Sequence, residues 1–260
     1  MKTSISLVSI ATLIMLAMCA GCAWAQVDDE YLLQRSVKVG ETDKYKTNLK
    51  IQGTGPMGPL SFEVTIISND KVTEVKPNGE FALTITIESG TMVINGSDRP
   101  FPGAGQSITV TYDKMGHTIG NSAPTTGRGS MIAQLLPIPR MGYLTDKPIK
   151  VGQSARYETE FGDGKKNKLS GLINLQSVEK AGTEIPLDTV KVKSSADILM
   201  PGPMGDQKTH IESIGQIDPK NGKVYKSEGT VTGGPLAPLG NDAKLTFKLT
   251  RIGVGDGASK

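Results

Sequence analysis

Cysteine is almost missing from this chain. Cys19 and Cys22 are the only two among 260 residues, so everything after them can form no internal disulfide and offers no thiolate to a metal or to catalysis. Tryptophan is as scarce, with Trp24 the single copy, and aromatic residues make up 5% of the chain. Stacking on bases or on sugar rings is therefore poorly supplied. Histidine occurs twice, as His117 and His210. Charge of either sign fails to gather: 29 Lys+Arg stand against 26 Asp+Glu, a formal net charge of +3, and no basic stripe emerges. Nucleic acid and anionic membrane surfaces both need clustered cations, so neither is implied as a partner. Beyond the N-terminal segment no apolar run approaches the ~20 residues of a membrane span, and the mature chain is expected to have none.

That N-terminal segment is the first positive signal. Lys2 precedes an apolar run over residues 5–20, and Ala23-Trp24-Ala25 follows. A positive start, an apolar centre and an A-x-A site make a secretory signal peptide, with cleavage expected between Ala25 and Gln26. The alternative lies at Ala20-Gly21-Cys22, small residues before a cysteine that would carry lipid in a bacterial lipoprotein, although Cys19 stands where that motif usually has Leu. Cleavage after Ala25 releases the chain to the periplasm, cell surface or exterior; lipidation of Cys22 tethers it to a membrane.

The rest of the chain alternates with a period of two. Tyr45, Thr47, Leu49 and Ile51 interleave with Lys44, Lys46, Asn48 and Lys50, which places one face on a core and the other in water. Leu60, Phe62, Val64 and Ile66 repeat the pattern, as do Phe81, Leu83, Ile85 and Ile87, then Ile108, Val110 and Tyr112, then Tyr157, Thr159 and Phe161, and finally Leu245, Phe247 and Leu249. One-sided faces belong to antiparallel sheets. With 31 Gly and 15 Pro, the chain is also rich in turns. Pro77-Asn78-Gly79 and Pro219-Lys220-Asn221-Gly222 place Asn-Gly where tight reversals need positive φ.

One short helix is expected over residues 130–136, with Ser130 as its cap and Pro137 as its stop. Pro137-Ile138-Pro139 and Pro148 then predict a stiff, extended connector. On either side of it the chain echoes itself. Val37-Lys38-Val39-Gly40 with Tyr45 recurs as Ile149-Lys150-Val151-Gly152 with Tyr157, about 110 residues later, the size of a small β domain. An Asp-to-Gly reversal, Asp113 to Gly116 and Asp218 to Gly222, follows in each half.

These marks together resemble two-repeat β proteins exported by bacteria, a family of unknown function. The resemblance implies a pair of related lobes and brings no catalytic residues with it. The expected fold is all-β: two related antiparallel β lobes, as curved sheet, sandwich or open barrel, with one short central helix. The expected division is a signal peptide over 1–25, a first lobe over 26–127, helix and Pro-rich connector over 128–148, a second lobe over 149–253 and a tail over 254–260.

Chemistry has few places to reside. His117 follows the Gly116 turn and reads as a surface hairpin residue, and no G-x-S-x-G elbow accompanies it. His210 and Glu212, two apart on a strand, share a face and are two metal ligands where a site needs three or four. Residues 218–222 lack the alternating acids of a calcium loop. Gly162-Asp163-Gly164-Lys165-Lys166 is basic and glycine-rich without P-loop spacing. Asp188-Thr189 begins an aspartic protease motif that Val190 breaks, and Asn95-Gly96-Ser97 is a formal glycosylation sequon. Met57 and Met204, each in a Gly/Pro loop, are soft apolar contacts or buried anchors. No cofactor, metal or catalytic residue is expected. The function expected is non-catalytic binding or structural work in the cell envelope, with an apolar ligand or an envelope protein as partner and the ligand held between the lobes. The alternative is a secreted hydrolase whose paired carboxylates meet only in the fold.

Overall fold

The computed structural model describes residues 29–55, 58–122, 130–140, 142–161, 167–201, 206–240 and 242–253. Cys22, Ala25, Gln26, Met57, Met204 and residues 162–166 lie outside them.

Alternation becomes strand wherever it was strong. In β1 (Thr42–Gly55) Tyr45, Thr47, Leu49 and Ile51 are buried while Lys46 and Lys50 are exposed. The chain continues through β2 (Gly58–Val75), β3 (Phe81–Ile94), β4 (Ser97–Arg99), β5 (Ser107–Tyr112) and β6 (Thr118–Asn121). After a six-residue helix, α1 (Ser130–Leu135), come β7 (Ser154–Phe161), β8 (Asn167–Glu179), β9 (Thr189–Met200), β10 (Gln207–Ile217), β11 (Val224–Gly233) and β12 (Lys244–Gly253). All pair antiparallel in one sheet, ordered β6-β5-β3-β2-β1-β12-β11-β10-β9-β8-β7, with β4 on β3. No described helix is long and apolar enough to cross a membrane.

The halves do not stand apart as two lobes. β1 pairs β12 over Lys44 to Gln52, which welds the start of the chain to its end in the middle of the sheet. The core is shared as well. One cluster joins Leu49 and Ile51 to Leu169, Ile211 and Leu245, and another joins Leu33 and Tyr45 to Ile173, Val192 and Ile217. A curved sheet buries its concave face most completely against itself, so apolar side chains from both halves meet there.

The connector departs furthest from expectation. It does not link lobes along a surface; it fills the interior. Leu135 and Ile138 enter one cluster, Tyr143 and Leu144 a second, Ile132 and Leu136 a third. Each such side chain, removed from water, contributes about 1.5–3 kcal/mol. Proline still shapes this segment, with a single 3-10 turn at Ile138–Arg140. Arg140 within that turn is held inside: its Nε donates to Asp70 Oδ2 at 2.5 Å, its Nη1 to the Leu136 carbonyl at 2.6 Å and its Nη2 to Ser68 Oγ at 3.0 Å. Its guanidinium also lies 5.1 Å from the Tyr45 ring centroid. From the other side Ser227 Oγ donates to the Pro139 carbonyl at 2.5 Å, so β2 and β11 both grip the connector.

Turn chemistry follows the sequence closely. Gly79 and Gly222 have φ of 87° and 67°, and the Gly222 amide closes its turn on the Asp218 carbonyl at 2.8 Å. The two Lys-Val-Gly turns carry matching bonds. Gly40 N donates to Val72 O at 2.9 Å and Gly152 N to Leu175 O at 2.7 Å, while the Glu41 and Gln153 side chains accept from Lys38 N and Lys150 N. Near them the N-terminal segment crosses the rim: Tyr31 exchanges two backbone bonds with Ile149, and Leu33, fully buried, accepts from the Thr145 amide and donates its own amide to Thr145 Oγ1.

Candidate functional site: an apolar groove at the open seam

The sheet curls until its edge strands β6 and β7 face each other, and among the described residues they do not pair. What joins them is a side-chain contact. The Asp113–Gly116 turn between β5 and β6 carries His117 against β7, where its ring stacks on Tyr157 at 4.4 Å between centroids. His117 is not the surface residue its turn suggested; it is 1% exposed. Asp113 fixes it, accepting from the His117 amide at 2.9 Å and facing its Nδ1 at 3.0 Å. A reversal followed by a strand end reads as exposed in sequence, because nothing local reveals a strand from the other half lying over it.

Above this latch the seam stays open as a groove of about 280 Å³. Its walls come from both sides: Thr118 and Asn121 of β6, Gln134, Pro137 and Ile138 of the connector, and Phe161, Leu169, Ile198, Met200, Gln207 and Thr209 from β7 to β10. None of these side chains is charged. Thr209 is 2% exposed, and its Oγ1 is buried without a hydrogen-bond partner among the described residues. That hydroxyl packs against Gly234 and is not presented to the groove. Phe161 alone among these residues belongs to a strongly alternating sequence run. The others sit in the connector or on strands whose inner faces mix small and polar residues, which hid them.

A second apolar depression is lined by Phe62, Met92, Ile94, Arg99, Pro100 and Pro102. It draws its walls from β2 to β4 and the loop that follows and includes a charged residue, whereas the seam groove joins both edges of the sheet to the connector.

Carboxylates do converge elsewhere, at the rim crossed by the N-terminal segment. Glu41, Asp43 and Asp70 line a cavity of about 50 Å³ with Arg35 and Arg140. Each acid is engaged. Arg251 Nε approaches Asp43 at 2.7 Å, Lys223 approaches Asp43 at 3.2 Å and Glu41 at 2.9 Å, and Arg140 holds Asp70. Burial works against a charged Glu41, but the Lys223 bond and the nearby Arg35 override it and hold that carboxyl below its ordinary 4.5. Burial alone would likewise weaken the Arg140 cation, and Asp70 raises it above the ordinary guanidinium value instead. Burial pushes Tyr143 and Tyr157 up to about 12, so neither phenol is an anion near neutral pH. The space suits a water or two and no sugar ring.

The remaining sequence candidates are structural. His210 Nδ1 lies 2.8 Å from Asp197 Oδ1 and its Nε2 lies 3.8 Å from Glu212, on a partly exposed face; no group of three metal-ligating side chains forms among the described residues. Asp218 accepts from Lys220 N and Asn221 Nδ2, both at 2.8 Å, inside its own turn. Asp188 accepts from Lys180 and the Ala181 amide at 2.9 Å. Asn95 of the sequon, at φ 48°, accepts from Ser61 N at 2.7 Å in the β3–β4 hairpin.

No protein-family model matches this sequence, and no curated relative matches it either. Among solved structures, DynF from the dynemicin biosynthesis pathway of Micromonospora chersina is similar at 9% identity and a TM-score of 0.26, over 87% of this chain and 84% of that one. A domain provisionally described as outer membrane lipoprotein-sorting, from Vibrio parahaemolyticus, is similar at 9% identity and a TM-score of 0.20, over 84% and 87%. A protein provisionally described as AttH, from Nitrosomonas europaea, is similar at 10% identity and a TM-score of 0.18, over 81% and 92%.

Proposed function

We propose that this protein is an exported, non-catalytic binding module of the cell envelope that takes the apolar part of a ligand into the seam between β6 and β7. The observation that carries the reading is the groove itself: about 280 Å³ at the seam between the edge strands β6 and β7, with no charged side chain among its described lining residues. Apolar concave sites with a few polar groups are where small ligands bind. The notional site between two lobes is replaced, because the connector occupies the interior. Export rests on the leader over residues 1–25, with lipidation at Cys22 as the tethered form of the same molecule. The hydrolase alternative draws no support from the converging carboxylates, since each has a cationic partner.

Methyl-labelled protein titrated with an aliphatic probe such as 1-decanol tests this. Shifts are expected at Leu169, Ile198 and Met200, with Leu33 and Leu249 unmoved. Ile198→Glu is expected to abolish them while the melting transition stays cooperative. A folded protein whose groove methyls respond to no aliphatic probe would falsify the reading.

A further inference from the structure

The end of the curled sheet that the N-terminal segment crosses carries apolar side chains that the groove does not use. We infer that this rim is a lipid-facing surface, seated on a bilayer through Val39, Val151 and the exposed apolar residues beside them when the chain is tethered at Cys22. The inference rests on the tethered form of the reading above and adds the face that meets the membrane.

Distribution comes first. Among the described residues the exposed large apolar side chains are Leu32, Val39, Val75, Val151, Leu172 and Ile252. All but Leu172 sit at one end of the sheet. Val39 precedes β1 in the turn whose Gly40 amide donates to Val72, and Val151 precedes β7 in the turn whose Gly152 amide donates to Leu175. Val75 closes β2, Ile252 lies next to the end of β12, and Leu32 stands between Tyr31 and Leu33 where these bond Ile149 and Thr145. Antiparallel pairing brings the starts of β1 and β7 and the ends of β2 and β12 to the same rim. Leu172 faces out from the middle of β8, opposite Arg156 and Ser195.

Chemistry comes second. Turns favour Gly, Asn, Asp and Ser, yet Val39 is 65% and Val151 46% exposed at two of them. An apolar side chain left in water gains nothing from folding. It does gain on entering the boundary between headgroups and acyl chains, where surface-seated proteins bury apolar residues about 5–10 Å deep.

Spacing favours a bilayer over a protein partner. Val39 stands beside β2 and Val151 beside β8, with five strands between them in the order of the sheet. A protein partner needs one contiguous patch, whereas a bilayer touches a rim at separate points. The tether agrees with this. Cys22 lies nine residues before Tyr31, and nine residues span at most about 32 Å. The hairpin end of β1 is 14 residues along the strand, roughly 45 Å from the rim and beyond that reach.

The test uses the chain from Cys22 with Trp24→Phe, which removes its only tryptophan, joined through the Cys22 thiol to a maleimide lipid in vesicles of phosphatidylethanolamine and phosphatidylglycerol. Relative to the uncoupled protein, Val39→Trp and Val151→Trp are each expected to shift their emission to shorter wavelength and to lose intensity when the acyl chains are brominated. Leu172→Trp is expected to do neither. Val75→Trp, on the same rim, replaces either rim variant that does not melt cooperatively. A rim variant that responds no more than Leu172→Trp overturns the inference. So does a rim signal that appears without vesicles and grows with protein concentration, which would make the rim an interface between copies. Shifts of Leu169, Ile198 and Met200 by 1-decanol are expected whether or not the rim meets lipid, because the groove lies toward the β7–β8 and β9–β10 hairpins at the other end of the strands. Their absence overturns the binding reading alone.

Discussion

Arg140 and Asp70 form an ion pair 2.5 Å apart with side chains 5% and 3% exposed, and it ties the connector to the inner face of β2. A buried pair contributes little net stability when intact and costs much when half removed. Arg140→Ala is therefore expected to lose about 3–5 kcal/mol in urea unfolding, because Asp70 is left charged and enclosed. Replacing both residues by leucine is expected to recover most of that loss. A single-mutant loss below about 1 kcal/mol would show that the pair does not hold the connector.

His117 and His210 are expected to behave differently when changed to alanine. The first is buried, stacked on Tyr157 and fixed by Asp113; its loss opens a cavity and strips Asp113 of a partner, for about 1–3 kcal/mol. The second lies on a partly exposed face, where changes stay within about 0.5 kcal/mol. Thermal melts of both variants decide this, and equal shifts would mean that the His117 stack does not close the seam.

Gly215 gives the ring of Tyr143 room to lie flat. A Cβ there would sit 2.8 Å from Tyr143 Cε1 and 3.0 Å from its Cδ1. Gly215→Ala must push the ring, and the connector with it, at a cost of about 1–3 kcal/mol. Gly182→Ala, where a Cβ meets nothing within 4 Å, is the control. Indistinguishable denaturation midpoints for the two variants would contradict the close packing of ring on strand.

Acid should weaken the fold partly through Glu41. Its carboxyl is held below 4.5 in the folded state, against the effect of burial, by Lys223 and Arg35. A depressed acid contributes stability that is complete above the unfolded value and is lost as pH falls through the lower folded one. Wild type is thus expected to lose its advantage over Glu41→Gln as pH drops below about 4.5. Unfolding free energies that run parallel for the two proteins from neutral pH downward would rule this out.

Strands whose inner faces carry large residues were legible, as in β1 with Tyr45, Leu49 and Ile51 and in β12 with Leu245, Phe247 and Leu249. Strands such as β9 and β10 were hardly so, since Ser194, Ala196, Ser213 and Gly215 occupy inward positions. Gly215 is small because the Tyr143 ring fills the space above it, and Ser194 lies under Gly142 of the connector: a Cβ at Gly215 would lie 2.8 Å from Tyr143 Cε1, and one at Gly142 would lie 3.2 Å from Ser194 Oγ. Periodicity records the face a side chain takes, and it cannot record a volume that a distant segment fills.

The sequence by itself determined the all-β class, the positions of the Asn-Gly and Asp-to-Gly reversals and the local likeness of the two Lys-Val-Gly turns, because each depends on residues within a few positions of one another. Tertiary structure alone decided that β1 and β12 join the halves into one sheet, that the Pro-rich connector is core, that His117 is buried and that a groove remains at the seam, uncharged among its described lining residues. Those outcomes arise from contacts between residues tens to hundreds of positions apart, which only the curling of the sheet brings together.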